Sequence, residues 1–280
     1  MIQDIAPHRL NNSFDCRREA REDDLIVVFS KGNMLLIADA DSKKIAFPTV
    51  LEMREKVTVL TYLFALDDKC FFLAEIDDET VDLAPYSFYR LNEVRKWNLE
   101  PKDTMYAAFT AFHLATWYMN NRYCGRCGKE LVFDDTERAL FCPSCNNKIY
   151  PRINPAVIIG IKNGNRLLIT RYRTGFANNA LVAGFTEIGE TFEETVEREV
   201  MEEVGLKVKN IRYYKSQPWG IAADILTGFY CEVDGSDEIK MDENELKYAE
   251  WVERDEIVLQ PQEYSLTNEM MKRFKDGLEK

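Results

Sequence analysis

The chain of 280 residues has few histidines, no excess of positive charge and no long apolar run. Its two histidines are His8 and His113, and we interpret His113, in an apolar stretch, as a packed residue rather than a catalyst. The formal net charge of −12 argues against a nucleic-acid-binding protein that relies on bulk electrostatics. Because no segment is long and apolar enough to span a bilayer, we expect no association with a membrane.

The first 15 residues, MIQDIAPHRLNNSFD, lack the basic and then apolar run of a secretion signal. We therefore predict a cytoplasmic protein. With 46% hydrophobic residues the chain has enough apolar side chains for real cores. Its length is typical of about two or three domains.

Four of the seven cysteines form the pattern C-x2-C-x14-C-x2-C. They are Cys124, Cys127, Cys142 and Cys145. In a chain without a secretion signal, such pairs are typical of metal ligands, and disulfides are the alternative. Four thiolates close a tetrahedral zinc site and leave no position for water. We therefore predict one structural zinc per chain.

The apolar pattern also divides the chain into strands and helices. DLIVVFS, NMLLIADAD, KVTVLTYLFAL and KCFFLAEI, between residues 24 and 76, alternate with short turns as in an antiparallel meander. A helix is predicted over residues 103–121, before the cysteines. A second α/β pattern begins at residue 155, and its last predicted elements are strands near 211–215, 225–233 and 248–252 and a closing helix over 268–280.

This order predicts three domains: a strand-rich α/β domain over 1–102, a helix with the cysteine ribbon over 103–150, and a catalytic domain over 151–280. There is also a hint of internal repetition. VVFSKGNMLLIADA and IIGIKNGNRLLITRY share the order strand, turn, strand. One interpretation is two related α/β units of which the first is degenerate, and the other is chance similarity between two hairpins.

The most specific stretch is GFTEIGETFEETVEREVMEEVGL, over residues 184–206. It predicts a helix that begins at Thr191, which forms a capping-box pattern with Glu194. Gly205 is suited to end the helix in a left-handed conformation. An apolar stripe of every fourth residue predicts the buried face: Phe192, Val196, Val200 and Val204.

Three glutamates of this helix, Glu199, Glu202 and Glu203, stand at i, i+3 and i+4 and can reach one common point. Clustered carboxylates repel one another unless a cation lies among them, and hard oxygen ligands favour Mg²⁺ or Mn²⁺. The alternative is an acidic helix face that is only solvated. The glycine-containing turn before the helix and the embedded Arg198 favour the metal site.

The spacing G-x5-E-x7-R-E-V-x-E-E-x-G-L resembles the signature of the Nudix hydrolases, which cleave diphosphate linkages with divalent metal. The matching residues are Gly184, Glu190, Arg198, Glu199, Glu202, Glu203 and Gly205. The resemblance implies that the three helix glutamates bind the metals and that Glu203 assists deprotonation of the attacking water. It also implies that Arg198 orients Glu190 or a metal-binding glutamate rather than contacting substrate.

The order of strand-rich region, helix, cysteine ribbon and acidic helix resembles the NADH pyrophosphatase branch of that superfamily. The resemblance is carried by YPR at 150–152, PAVI at 155–158 and SQPW at 216–219. It implies a Nudix α/β/α sandwich with a four-cysteine zinc ribbon and an N-terminal strand-rich, Nudix-like domain. The motif of this branch normally continues with Pro-Phe-Pro, whereas here it continues with GIAAD at 220–224.

The resemblance implies five substrate contacts: Tyr150, Phe185, Gln217, Trp219 and Ala222. Tyr150 and Phe185 would stack on the adenine, because a flat base suits an aromatic partner. The alternatives are ribbon packing for Tyr150, a strand-end core position for Phe185, and a turn with a core aromatic for Pro218 and Trp219. Glu245 matches an additional metal-binding glutamate of the branch.

The implied activity is hydrolysis of NAD(H) to AMP and nicotinamide mononucleotide, with NAD-capped RNA as a second substrate and a homodimer as the assembly. The altered motif predicts a looser pocket, because Gly220 adds backbone freedom and Asp224 places a carboxylate near an anionic substrate. The alternatives are another Nudix specificity, such as ADP-ribose or coenzyme A, and a non-catalytic zinc-ribbon interaction module.

Overall fold

The computed structural model describes residues 1–15, 18–76, 82–174 and 178–279. The chain divides into two compact units. The N-terminal unit comprises residues 2–152 and 220–223, and the C-terminal unit comprises Met1, 153–219 and 224–280. Within the described ranges no helix is both long and apolar enough to cross a membrane. The domain boundaries at 102 and 150 stay a prediction.

The larger sheet of the N-terminal unit has seven strands. They are β1 (Leu10–Asn11), β2 (Leu25–Ser30), β3 (Asn33–Asp39), β4 (Lys44–Ala46), β5 (Val57–Leu66), β6 (Lys69–Ile76) and β7 (Ser87–Tyr89). Their order is β1-β5-β6-β2-β3-β4, with β7 beside β3. The predicted strands are present, but the antiparallel meander was wrong, because the β5–β6 hairpin returns to lie against β2 and β6 pairs with β2 in parallel.

The same unit contains three helices and a small sheet. The helices are α1 (Val50–Met53), α2 (Leu91–Val94) and α3 (Lys102–Asn120). The sheet is antiparallel and consists of β8 (Val132–Phe133), β9 (Leu140–Phe141) and β10 (Lys148–Ile149). Cys142 and Cys145 lie in the turn between β9 and β10, and Cys124 and Cys127 lie in the turn before β8. Helix α3 has buried residues on most of its faces, as its apolar sequence predicted.

The C-terminal unit is built on six strands in the order β14-β15-β11-β12-β16, with β13 beside β11. They are β11 (Asn154–Asn163), β12 (Arg166–Tyr172), β13 (Val182–Phe185), β14 (Val208–Trp219), β15 (Asp224–Val233) and β16 (Leu246–Glu253). Its helices are α4 (Phe192–Val204) and α5 (Leu266–Lys275). Strands β11 and β15 are parallel, and the other neighbouring strands are antiparallel.

Helices cover both faces of this sheet, which confirms the α/β/α sandwich. On one face Val196, Val200 and Val204 of α4 are fully buried in a cluster with residues of β11 and β15. On the other face Met270 and Phe274 of α5 are fully buried in a second cluster. Burying a side chain of this size contributes about 1.5–3 kcal/mol, so packing rather than helix propensity fixes the position of α4.

Helix α4 begins and ends where its sequence predicted. The Thr191 side chain accepts the backbone N–H of Glu194, and the Glu194 side chain accepts the backbone N–H of Thr191. Gly205 ends the helix with φ 67°, in the left-handed region that glycine tolerates. The closing helix starts two residues earlier than predicted, at Leu266, where the Ser265 side chain caps it, and it ends at Lys275.

Candidate functional site

A glycine of strand β13 lets a helix carboxylate lie directly against the strand. A Cβ atom at Gly184 would lie 2.0 Å from the Glu199 carboxylate, so no other residue fits there without displacing it. The Glu199 side chain is only 12% exposed. This contact explains in physical terms why a glycine precedes the acidic helix at this spacing.

Arg198 lies among carboxylates of the turn and of helix α4. Its Nε donates to Glu190 Oε1 at 2.6 Å, and its Nη1 donates to Glu199 at 2.8 Å and to Glu202 at 3.0 Å. Its Nη2 donates to the carbonyl of Phe185 at 2.9 Å. The hydrogen bond from Arg198 is the main cause that lowers the pKa of Glu190 to about 2. Arg198 is thus in a position to orient the glutamates.

Glu203 is the buried carboxylate of the helix, with 2% of its surface exposed. Burial is the main cause that raises its pKa to about 8, and the charges of Glu199 and Glu245 act in the same direction. The hydroxyl of Tyr172 lies 3.2 Å and 3.3 Å from its two oxygens. A buried carboxylate facing two others is costly without a cation, which argues against a merely solvated acidic face.

The donor set of the site fits a hard divalent cation, because it consists of carboxylate oxygens from α4 and of Glu245, the residue before β16. Glu202 is 60% exposed and Glu203 is buried, so their carboxylates lie at different depths below the protein surface. Within the described ranges, the cysteines alone form a group of three or more potential ligand atoms all within 4.8 Å of one another. The glutamate oxygens are spread more widely than that.

The four cysteines converge in the N-terminal unit. The Sγ atoms of Cys124 and Cys145 are 3.7 Å apart, and those of Cys127 and Cys142 are 3.5 Å apart. A tetrahedral site with Zn–S bonds of about 2.3 Å places its sulfurs roughly 3.8 Å apart. A disulfide requires about 2.05 Å, so that alternative was wrong.

The two aromatic residues expected on the adenine are both accessible. Phe185 ends β13 in the C-terminal unit and is 54% exposed. Tyr150 follows β10 in the N-terminal unit, is also 54% exposed, and its hydroxyl donates to Glu137 at 3.0 Å. These exposures argue against the alternative packing roles. Elsewhere in the N-terminal unit, His113 Nε2 lies 2.7 Å from the carbonyl of Arg152, which is consistent with a structural role.

The structure argues against the expected pocket-lining role of Gln217. The residue is fully buried, its amide donates to the carbonyl of Tyr264 at 2.7 Å, and its oxygen accepts from the N–H of Leu266 at 2.6 Å. The side chain therefore holds the segment that leads into α5. A polar residue inside a recognition motif cannot be distinguished from such a structural residue by sequence alone.

The segment after Trp219 also differs from the expectation of a loose loop. A Cβ atom at Gly220 would lie 2.1 Å from the carbonyl oxygen of Phe109 in α3, so glycine serves close packing here and not backbone freedom. Asp224 is 6% exposed, and its Oδ1 lies 3.3 Å from the Asn154 amide nitrogen, which directs the carboxylate into the protein. Trp219 is half-buried and Ala222 is exposed.

Tyr172, the last residue of β12, is a part of the site that the sequence patterns did not indicate. Its only signal in the sequence is its place at the end of the apolar strand RLLITRY, and the structure pairs that strand with the one that follows Glu245.

Comparison with protein families gives two matches. The NUDIX domain model matches residues 152–274, and the NADH pyrophosphatase zinc ribbon domain model matches residues 120–150. The first range contains α4 and Glu245, and the second contains the four cysteines. These matches confirm the resemblance and the fold class that the sequence predicted.

Several known proteins are similar to the chain. The NAD-capped RNA hydrolase NudC of Shigella flexneri is 44% identical over 151 residues, which are 53% of this chain and 58% of that protein. The protein of the same name from Escherichia coli O1:K1 / APEC matches with the same figures. The chain thus matches little more than half the length of these relatives. The crystal structure of a NUDIX hydrolase from Nitrosomonas europaea aligns with a TM-score of 0.48 and 22% identity, over 55% of this chain and 90% of that one.

Proposed function

We propose that the chain hydrolyses the diphosphate linkage of NAD(H), because the NUDIX domain model matches residues 152–274 and the NADH pyrophosphatase zinc ribbon model matches residues 120–150. The products are AMP and nicotinamide mononucleotide. The observation that carries the proposal is the buried carboxylate of Glu203. It lies on one helix with Glu199, and the negative charge of Glu245 contributes to its raised pKa. Such a cluster is suited to divalent metal and, through it, to a diphosphate.

Glu199, Glu202, Glu203 and Glu245 would hold Mg²⁺ or Mn²⁺, which when bound would neutralise the diphosphate and lower the pKa of a bound water. Side chains of the protein perform the other steps, which are proton removal and positioning. Glu203 is our choice for the carboxylate that assists removal of the proton from the water. Arg198 holds Glu190, Glu199 and Glu202 in one array and stays engaged with protein groups rather than with substrate.

Phe185 supports a nucleotide substrate. It is the last residue of the strand whose Gly184 lies against Glu199, its ring is exposed, and Arg198 donates a hydrogen bond to its backbone carbonyl. An exposed, positioned aromatic ring suits stacking on a base. We keep Tyr150, Trp219 and Ala222 as predicted substrate contacts, and we assign Gln217 a structural role because its amide is buried and engaged.

NAD-capped RNA is the second substrate that we propose, because its end contains the same diphosphate linkage as NAD. The similar proteins of Shigella flexneri and Escherichia coli carry the name of this activity. The net charge of −12 argues that such an RNA is recognised at its cap rather than along its backbone. The cytoplasmic location and the homodimer remain predictions.

The test is product analysis with NADH, NAD, ADP-ribose, coenzyme A, dinucleoside polyphosphates and NAD-capped RNA, each with Mg²⁺ and with Mn²⁺. We expect AMP and nicotinamide mononucleotide from NAD(H), and a 5′-monophosphate RNA from the capped RNA. Turnover of ADP-ribose or coenzyme A without any turnover of NAD(H) would replace the proposed substrate by another Nudix specificity. If no diphosphate is hydrolysed, the result would support the alternative of a non-catalytic zinc-ribbon interaction module.

A further inference from the structure

The hydroxyl of Tyr172 is fixed between two parts of the C-terminal unit. It accepts the backbone N–H of Ala183 in β13 at 3.1 Å, and it faces both carboxylate oxygens of Glu203 in α4, at 3.2 Å and 3.3 Å. We propose that Tyr172 is a positioning residue that holds the Glu203 carboxylate for metal binding. This inference rests on the proposed function, since it requires Glu203 to be a metal ligand.

A hydrogen-bond donor matters here because Glu203 is almost completely shielded from water. In a metal site, groups that hydrogen-bond to a ligand fix its orientation, and their loss typically costs about 10–100-fold in metal affinity or activity. The phenol can donate one hydrogen bond at a time, so it leaves lone pairs of the carboxylate for a cation. The N–H of Ala183 holds the hydroxyl oxygen beside Glu203, and the carbonyl of Ala183, the other acceptor in reach, is more distant at 3.4 Å than either carboxylate oxygen.

The end of β12 reaches the other carboxylate-bearing segment as well. The backbone N–H of Arg173 donates to the carbonyl of Glu245 at 2.9 Å, and its side-chain Nε donates to the carbonyl of Glu243. The pairing of β12 with β16 shifts register between Arg171 and Tyr172. Two consecutive residues at this irregular strand end thus contact the helix of Glu203 and the segment of Glu245.

The corresponding position in the N-terminal sheet serves a different purpose. Strand β3, like β12, follows a two-residue turn and has seven residues, and its last residue is Asp39. The Asp39 carboxylate accepts the Ser42 hydroxyl at 2.6 Å and the N–H of Asp41 at 2.9 Å, so it closes a local turn. The strand that ends beside the glutamates of α4 thus has a tyrosine at its last position, and the corresponding strand of the N-terminal sheet has an aspartate.

The variant Tyr172→Phe removes the hydroxyl and keeps the ring that packs against the core. Its matched control is Tyr230→Phe, since Tyr230 is fully buried in the same unit and its hydroxyl donates to the carbonyl of Met270 at 2.8 Å. Mn²⁺ binding to the zinc-loaded protein is measured without substrate, from the electron paramagnetic resonance signal of free Mn²⁺. Thermal unfolding of both variants and the rate with NADH at increasing Mn²⁺ complete the comparison.

We expect Tyr172→Phe to weaken Mn²⁺ binding about 10–100-fold, with a matching rise in the Mn²⁺ required for half-maximal rate and little change in KM for NADH at saturating Mn²⁺. Tyr230→Phe should lower thermal stability to a similar degree and bind Mn²⁺ normally. The inference is overturned if Tyr172→Phe binds Mn²⁺ as the wild type does, or if both variants lose binding equally.

Glu203→Gln separates the inference from its premise. If Glu203→Gln loses Mn²⁺ binding and Tyr172→Phe does not, the positioning role alone is wrong. If Glu203→Gln binds Mn²⁺ as the wild type does, the metal-binding role of Glu203 is wrong, and the inference fails together with it. Loss of Mn²⁺ binding in both, with the control intact, supports the two assignments.

Discussion

The two large sheets of this protein share a path of five strands and differ in their additional strands and in one helix. The N-terminal sheet contains the neighbours β5-β6-β2-β3-β7, with β1 beside β5 and β4 also beside β3, and the C-terminal sheet contains the neighbours β14-β15-β11-β12-β16, with β13 also beside β11. In both, a parallel pair in the centre joins two antiparallel hairpins. Such agreement supports two related units and argues against the alternative of chance similarity between two hairpins.

The irregularities of the sheets agree as well. Strands β5 and β14 each have a left-handed residue at their third position, Val59 with φ 47° and Asn210 with φ 55°. Each strand then shifts register against its partner twice, at corresponding places. Left-handed backbone is costly for a β-branched residue such as valine. A shared bulge at such a residue is a feature of the fold rather than a local accident.

The difference lies in the helix that precedes these bulged strands. In both units a capping box starts the helix, from Thr49 in α1 and from Thr191 in α4. Helix α1 ends after four residues, whereas α4 runs for 13 and carries the three glutamates. The sheet alone therefore provides a scaffold, and the proposed chemistry depends on nine further helical residues and on the strand ends around them.

The zinc proposed for the N-terminal unit is structural, whereas the Mg²⁺ or Mn²⁺ proposed for the C-terminal unit is catalytic. Removal of the zinc has the largest expected effect on stability. Cys142→Ser should remove zinc from the N-terminal unit and lower its thermal stability more than any other single change considered. Closed thiolate sites contribute roughly 10–16 kcal/mol to folding in isolated zinc-finger peptides. Metal analysis and calorimetry measure the effect, with Cys231→Ser as a buried-cysteine control in the C-terminal unit. Wild-type protein purified without chelators that contains no zinc, and has four reactive thiols, would contradict it.

The next effect concerns the carboxylate helix. Glu203→Gln should cause a loss of about 10²–10⁴ in kcat for NADH. An amide has the same shape but is a far poorer metal ligand and base. Glu197→Gln is the control, because Glu197 is an exposed residue of the same helix. Near-native turnover by Glu203→Gln with Mg²⁺ would remove Glu203 from the mechanism.

Much of this difference between the units could be predicted from the sequence, because it depends on local signals. The capping box of Thr191, Gly205 and the spacing within each cysteine pair act over a few residues, and each was found where predicted. The predicted strand over 211–215 was too short, since β14 runs over Val208–Trp219. The left-handed residue Asn210 and two register shifts break the alternation that marks a strand.

What could not be predicted depends on partners distant in the sequence. Gln217 is buried because groups 47 and 49 residues away meet its amide, and Gly220 is required by the backbone of Phe109. Tyr172 acquires its place beside Glu203 only when β12, β13 and α4 pack together. A motif reveals which residues a family uses, and packing decides which of them reach the substrate.

A smaller effect is expected at the C-terminal end of the chain. Burial raises the pKa of Glu279, but its ion pairs with Arg212 and Lys162 outweigh this and lower the pKa below its usual value of 4.5. Since the folded pKa is lowered, the ionised group stabilises the fold above about pH 4.5, and this contribution is lost as pH falls through the folded pKa. Glu279→Gln should cost at most about 3 kcal/mol at neutral pH, because Arg212 is half exposed.

Urea unfolding between pH 3 and pH 7 measures this effect. The wild type should lose its advantage over Glu279→Gln as the solution becomes more acidic. An advantage that stays constant over that range would show that the pairs formed by Glu279 do not stabilise the C-terminal unit.

The smallest effect is expected when the two capping boxes are removed one at a time. Thr49→Ala and Thr191→Ala each remove a side-chain acceptor for a helix N–H and should each cost about 1 kcal/mol in urea unfolding. Thr49→Ala should leave kcat/KM for NADH unchanged, because α1 carries no metal-binding glutamate. Thr191→Ala should lower it by no more than about fivefold, which is the limit if all of that energy reached the site. A loss of activity in Thr49→Ala alone would show that α1 and the sheet beside it contribute to the chemistry, and the division between scaffold and carboxylate helix would then be wrong.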